Sequence, residues 1–239
     1  MKKDISLDDL ENDCILKGRE LRAAITGAGM RVAQQAKAVY GLDAFFLERA
    51  VGLLARTMLC KAGKKGRATR EIGNKISLIT TYFQGCAFTE RLISEGQYAK
   101  AAAALKQDFE IVTRIEEISA GTVQTGKTPH MRHAPKGSAR IYGELNRVAH
   151  PSHENLIYRH LQQVVTNGVP GVSPFPVFRE NTVQSKFKLH CWLCFAVCRA
   201  SVLVLIENYG ENDPYVKDCM ERFVLLQDYG LSLGLLKLV

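Results

Sequence analysis

Apolar residues return every three or four positions along most of the chain, which is the spacing of one helix face. Residues 7–25 and 30–40 read as one long helix or two, with a break near Gly27 and Gly29. A run over 42–60 carries Phe45, Phe46, Ala50, Leu53, Leu54 and Met58, and Gly63 and Gly66 end it. Residues 71–94 place Ile72, Ile76, Ile79, Phe83 and Cys86 on one face. Gly96 then marks a tight turn, because glycine takes a left-handed helix end at little cost. The helix after it has the clearest stripe, Tyr98, Ala101, Leu105, Phe109, Val112 and Ile115, and it ends at Gly121.

Residues 121–139 are polar and interrupted by Gly126, Pro129, Pro135 and Gly137. Helical spacing resumes over 140–148 and stops before Pro151, and a further helix is predicted over 153–166. Gly168, Pro170, Gly171, Pro174 and Pro176 make 167–184 a long loop. Helices are predicted over 185–208 and 214–237, the second with Asp213 as cap and Pro214 in its first position. No stretch alternates as a strand would, and no fixed period repeats. The expected fold is an all-α, single-domain bundle over 1–239, of about six to eight helices.

Composition agrees with this. The chain has 239 residues, 46% hydrophobic and 23% charged, enough to bury a sizeable core. At the N-terminus Lys2 and Lys3 are followed by acids, which does not read as a signal peptide. The most apolar stretch, Cys191–Ile206, carries Arg199 and falls short of the roughly 20 residues of a membrane span. A buried helix and a cytoplasmic protein are expected. Seven cysteines suggest no disulfide framework, and Cys14, Cys60, Cys86 and Cys219 are expected to be reduced and buried. Cys191, Cys194 and Cys198 share one helix face, with His190 about a quarter-turn away. Their neighbours are apolar, so a packed core face is expected rather than a metal site. No cofactor is expected.

Charge adds a candidate surface. The formal net charge is +8, which suits contact with nucleic acid or another anionic partner. Lys61, Lys64, Lys65, Arg67 and Arg70 form a basic loop that is either a solvated linker or a phosphate contact. Whether it meets the loop at 126–140 in space decides how strong the case for RNA is.

Gly121-Thr122-Val123-Gln124-Thr125-Gly126-Lys127-Thr128 matches the phosphate-loop pattern letter for letter. Such a loop must follow a buried strand and open into a helix whose free N–H groups hold the phosphates. Here a helical pattern precedes it and Pro129 follows, so the context argues against a nucleotide switch. Gly27-Ala28-Gly29 reads as a helix interruption and not as a dinucleotide fingerprint.

Two segments carry a resemblance. One is Leu92–Ala101, with Gly96, Tyr98 and Ala101, continuing through Lys106 to Glu110. The other is Tyr142–Ser152, with Gly143, Leu145, His150 and Pro151. Together, over 70–165, they resemble a diffuse set of bacterial all-helical proteins of unknown function related to HEPN bundles. The resemblance implies a homodimeric helical fold and an interaction or regulatory module in defence or toxin–antitoxin biology; a protein partner, or RNA through the basic loops, is expected, and no membrane. It also implies that a catalytic member would be a metal-independent endoribonuclease. That motif, an arginine and then a histidine after four to six residues, fails at His150, where Gly143, Glu144 and Leu145 stand in the required places. It is met by Arg147 and His153.

The chemistry is direct. A histidine moves protons near neutral pH, and a guanidinium steadies charge on a phosphate. The catalytic candidates are His150, His153, Arg147 and Tyr142, with Lys106 and Glu110 as an orienting ion pair. The structural alternative makes Tyr142 and His150 a buried hydrogen-bonded pair, and Lys106–Glu110 a surface pair of small energetic weight.

Overall fold

The computed structural model describes residues 7–67, 69–124, 126–135, 138–150 and 163–236. Among them are seven α-helices: α1 Leu7–Tyr40, α2 Leu42–Leu59, α3 Arg70–Ser94, α4 Tyr98–Ser119, α5 Ala139–Ala149, α6 Glu180–Tyr209 and α7 Pro214–Ser232. A short 3-10 turn, Met131–His133, precedes α5. The all-α bundle expected from the periodicity is what forms.

Helix α6 is the central element and packs on α1, α2, α3, α4 and α7. Its apolar character therefore reflects burial on many sides. It is the described helix long and apolar enough to cross a membrane, and 61% of its most apolar window is buried in the bundle. Val183, Phe187, Cys191, Leu193, Cys194, Val197 and Cys198 are enclosed by their neighbours. Phe109 of α4 lies 6.3 Å from the Trp192 ring, and Tyr40 of α1 stacks on Phe187 at 3.6 Å. Burying such rings stabilises the fold by about 1.5–3 kcal/mol each.

Local chemistry sets the helix ends. Thr69 caps α3 by accepting from the Ile72 amide. Asp213 caps α7, accepting from the Tyr215 and Val216 amides at 2.9 and 3.3 Å, with Pro214 in the first turn as expected. Gly96, at φ +76°, joins α3 to α4, and a Cβ there would lie 3.0 Å from Val32 Cγ1 and 3.3 Å from the Val177 carbonyl oxygen.

Three expectations are corrected. Helix α1 runs unbroken through Gly27 and Gly29. Tertiary burial of Ala28, Val32 and Ala36 outweighs the roughly 1 kcal/mol intrinsic cost of a helical glycine. The second correction concerns the end of the helix predicted over 153–166 and the loop after it. Gln163–Thr166 pairs antiparallel with Val169–Val172, and Asn167 and Gly168 both take positive φ, 51° and 80°. An Asn-Gly pair between valine-rich runs is a hairpin signal, because both residues tolerate the left-handed turn. Residues 153–162, the rest of that predicted helix, lie outside the described residues. Third, α6 begins at Glu180, inside the predicted loop.

All seven cysteines are free thiols. Cys86 and Cys219 are buried, but Cys14 is exposed and Cys60 half-buried, contrary to expectation. Cys14 lies on the part of α1 that extends past the packed bundle, where almost every residue faces solvent.

Candidate functional site

The candidates divide between the two ends of the bundle. Helices α4 and α6 run the same way: Phe109 meets Trp192, and farther along Glu116 pairs with Arg199 at 3.1 Å. Helix α5 runs against both. Its Tyr142 meets Phe109 and Glu110 in mid-α4, while its Glu144, Leu145 and Val148 line a cavity with Ser185 and Lys186 near the start of α6.

At that end, Tyr142 donates its hydroxyl to Glu110 Oε1 at 2.7 Å. Lys106 Nζ lies 3.2 Å from the same oxygen. Lys106 and Glu110 are only about a quarter exposed, so the pair is partly buried. Burial, and then the hydrogen bond to Glu110, push the Tyr142 phenol up to about 12. It is therefore held protonated at neutral pH, as a donor and not a base. The three side chains satisfy one another across the α4–α5 contact.

His150 and Arg147 behave differently. His150 ends α5 and is exposed, so the buried Tyr142–His150 pair does not form. Arg147 is exposed and donates to the Gly143 carbonyl of its own helix at 3.3 Å. Arg147 lies on the last turn of α5, whereas His150 is the residue that caps it in extended conformation, at φ -99° and ψ 121°. His153 lies outside the described residues.

The G-x-Y turn is a structural joint. Tyr98 is enclosed, and its hydroxyl donates to the Val177 carbonyl at 3.1 Å and accepts from the Arg179 amide at 3.0 Å. It ties the start of α4 to the chain entering α6. Sequence reasoning placed Tyr98 on the inner stripe but had no signal for this partner.

At the opposite end lie both basic loops. The Arg67 amide donates to the Asn208 carbonyl at 3.0 Å, and the Tyr209 hydroxyl to the Lys64 carbonyl at 3.2 Å. The 61–70 loop is thus fastened to the C-terminal end of α6. Lys61 pairs with Asp213 at 2.6 Å and lies over the Tyr209 and Tyr215 rings. Buried Lys75 pairs with Glu207. Lys64, Lys65, Arg67 and Arg70 are exposed, and their side chains make no hydrogen bond or ion pair among the described residues.

The loop after α4 is clasped to the same end. Arg114 pairs with Glu117 at 2.7 Å and donates to the carbonyls of Gln124 and Lys127. Buried Glu117 also accepts from the His130 amide. The Thr122 hydroxyl and His133 Nε2 share a hydrogen bond at 2.9 Å, and Arg132 donates to the same nitrogen. Exposed Lys127 and Arg132 add to the basic charge.

This geometry explains the phosphate-loop match. Gly121, at φ +65°, closes the C-terminus of α4, with its amide bonded to the Ile118 carbonyl. A helix C-terminus presents carbonyls and the negative end of the dipole, the opposite of a phosphate cradle. The next helical element is the three-residue turn at Met131.

The cysteine face of α6 is core, as expected. Cys198 donates to the Ala50 carbonyl at 3.0 Å, and Cys86 contacts His190 Nε2 at 3.7 Å. Hydrogen bonding with Cys194, and burial, push the Cys86 thiol up, and burial does the same to Cys191. Such thiols are poor nucleophiles. No group of three metal-ligating side chains forms among the described residues.

Lys186 was overlooked by sequence reasoning. Val183, Lys186, His190, Cys194 and Val197 follow three- and four-residue steps, so its register already placed it on the buried face.

Comparison with family models, with curated proteins and with solved structures finds no match to this chain.

Proposed function

We propose that the protein is a HEPN-like helical interaction module that binds RNA at its basic end and does not cut it. The observation that carries this reading is the shared position of the two basic loops. Their exposed cations include Lys64, Lys65, Arg67, Lys127 and Arg132, while Asp213 is paired with Lys61, Glu207 with Lys75 and Glu117 with Arg114. A phosphate backbone meets unpaired positive charge there.

His150 and Arg147 speak against cleavage on that surface. Helical rise puts His150 roughly 25 Å along the bundle from Gly121, too far to act on a phosphate held by the basic loops of the same chain. Tyr142, Lys106 and Glu110 are spent on one another. The HEPN resemblance adds the expected setting: a homodimer in bacterial defence or toxin–antitoxin biology, with RNA or a protein as its partner.

The test is fluorescence anisotropy with labelled RNA across a salt series, beside a cleavage assay in excess chelator. Salt-sensitive binding without cleavage is expected. Cleavage abolished by His150→Ala or His153→Ala would establish the metal-independent endoribonuclease instead. Absence of binding at low salt would remove RNA as the partner.

A further inference from the structure

We propose that the cavity between α5 and α6 is a binding site for a small monocarboxylate with an apolar body, held by Lys186. The cavity is about 230 Å³. Leu145, Val148 and Leu189 supply its apolar wall, and Glu144, Ser185 and Lys186 its polar groups. Lys186 is 9% exposed, yet it makes no hydrogen bond or ion pair among the described residues. Among the described residues the fully enclosed polar atoms without a partner are those of Tyr82, His190 and Asn208, and the Lys186 nitrogen is not one of them. The amine therefore keeps an opening while most of the side chain is enclosed.

A buried ammonium without a partner is costly, and the usual remedy is an opposite charge with a hydrogen bond. The nearest help from the protein is indirect. Burial pushes Lys186 down to about 8, and the charge of Glu144 offsets this only in part. At neutral pH the ammonium form still predominates, so the cavity holds a positive charge that Glu144 offsets only in part and to which no wall residue is hydrogen-bonded.

The walls choose the ligand class. A carboxylate pairs with the ammonium, while an apolar body covers Leu145, Val148 and Leu189. Phosphate and other polyanions are disfavoured, because they bring stronger hydration into an apolar cavity, and more negative charge toward Glu144, than a monocarboxylate does. Neutral alcohols leave the ammonium unpaired, and amines repel it. The site is separate from the basic loops, so its test does not depend on RNA binding.

Benzoate is the probe, with benzyl alcohol and benzylamine as isosteric controls. Titration at pH 7 is followed by calorimetry and by the amide signals of Leu145, Val148 and Leu189. Benzoate is expected to bind in the range of about 0.1–1 mM and to move those signals, and the controls to bind about tenfold more weakly or less. Lys186→Met keeps the length of the side chain and removes the charge. It is expected to lower benzoate affinity by about tenfold or more, while Lys186→Arg retains part of it. Equal binding of benzoate and benzyl alcohol by the wild type overturns the proposal, and this comparison needs no variant to fold. So does undiminished benzoate affinity in Lys186→Met, or no signal change at about 10 mM benzoate, where a weak site would already be filled.

Discussion

The α4–α5 contact and the far end of the bundle carry similar residue types and use them in opposite ways. Where α5 crosses α4, Lys106, Glu110 and Tyr142 close on one another, and the charges are partly buried. At the far end, acids pair with Lys61, Lys75 and Arg114, and Lys64, Lys65, Arg67 and Lys127 are left facing water. A paired, half-buried charge positions the fold, whereas an unpaired exposed one is available to a partner. Abundance of lysine and arginine therefore says less about function than which of them have already been answered.

The largest test of this contrast is Phe109→Ala. Phe109 is enclosed and lies between Tyr142 and Trp192. A loss of about 3–5 kcal/mol in urea unfolding is expected, because the cavity removes contact to α5 and α6 together. RNA affinity of the folded fraction is expected to hold. A parallel collapse of binding would mean that the two ends are one unit.

A pH series probes the buried middle of α4. Asp108 accepts from the Thr89 hydroxyl at 3.1 Å, and burial pushes its carboxyl up to about 7. The folded value lies above the unfolded one, so the native chain holds the extra proton between the two. The stabilising contribution is full below the unfolded value near pH 4 and is lost as pH rises through about 7. Stability is expected to fall by about a few kcal/mol over that window, and Asp108→Asn to flatten the curve. An unchanged slope in the variant would remove Asp108 as the source.

Reversing Lys64, Lys65 and Arg67 to glutamate is expected to weaken RNA binding about 100-fold at low salt and to make the salt dependence shallower. Thermal stability should change little, because none of these side chains is paired. An unaltered affinity would place the RNA contact elsewhere.

The smallest effect belongs to Tyr142→Phe. It removes one hydrogen bond to Glu110, worth about 1 kcal/mol by thermal or urea unfolding, and RNA binding should not move. A loss of RNA binding instead would give Tyr142 a part in the contact.

The helices and several of their ends were legible in the sequence, since period, cap and turn residues act within a few positions. Asp213 with Pro214 and the left-handed Gly96 were readable in this way. The Asn167–Gly168 hairpin was equally local, but its valine runs suit a helix or a strand, and the turn signal alone separates them. The continuity of α1 was not legible, because burial against other helices overrides the glycines.

The residues of the two candidate surfaces were visible in sequence, and their relationships were not. Spacing placed Lys106 and Glu110 on one face, but the Tyr142 hydroxyl reaches Glu110 across 32 positions of chain. The two basic loops were apparent as composition, and helix directions alone brought them to one end. Lys186 has the register of a core residue, while its lack of a hydrogen bond or ion pair among the described residues depends on what α5 places opposite it. By itself the sequence determined which faces seek burial, because hydrophobic periodicity is a local property of the chain. Only the tertiary structure decided which charges find partners and which are left for a ligand, because pairing depends on distances between segments that periodicity does not encode.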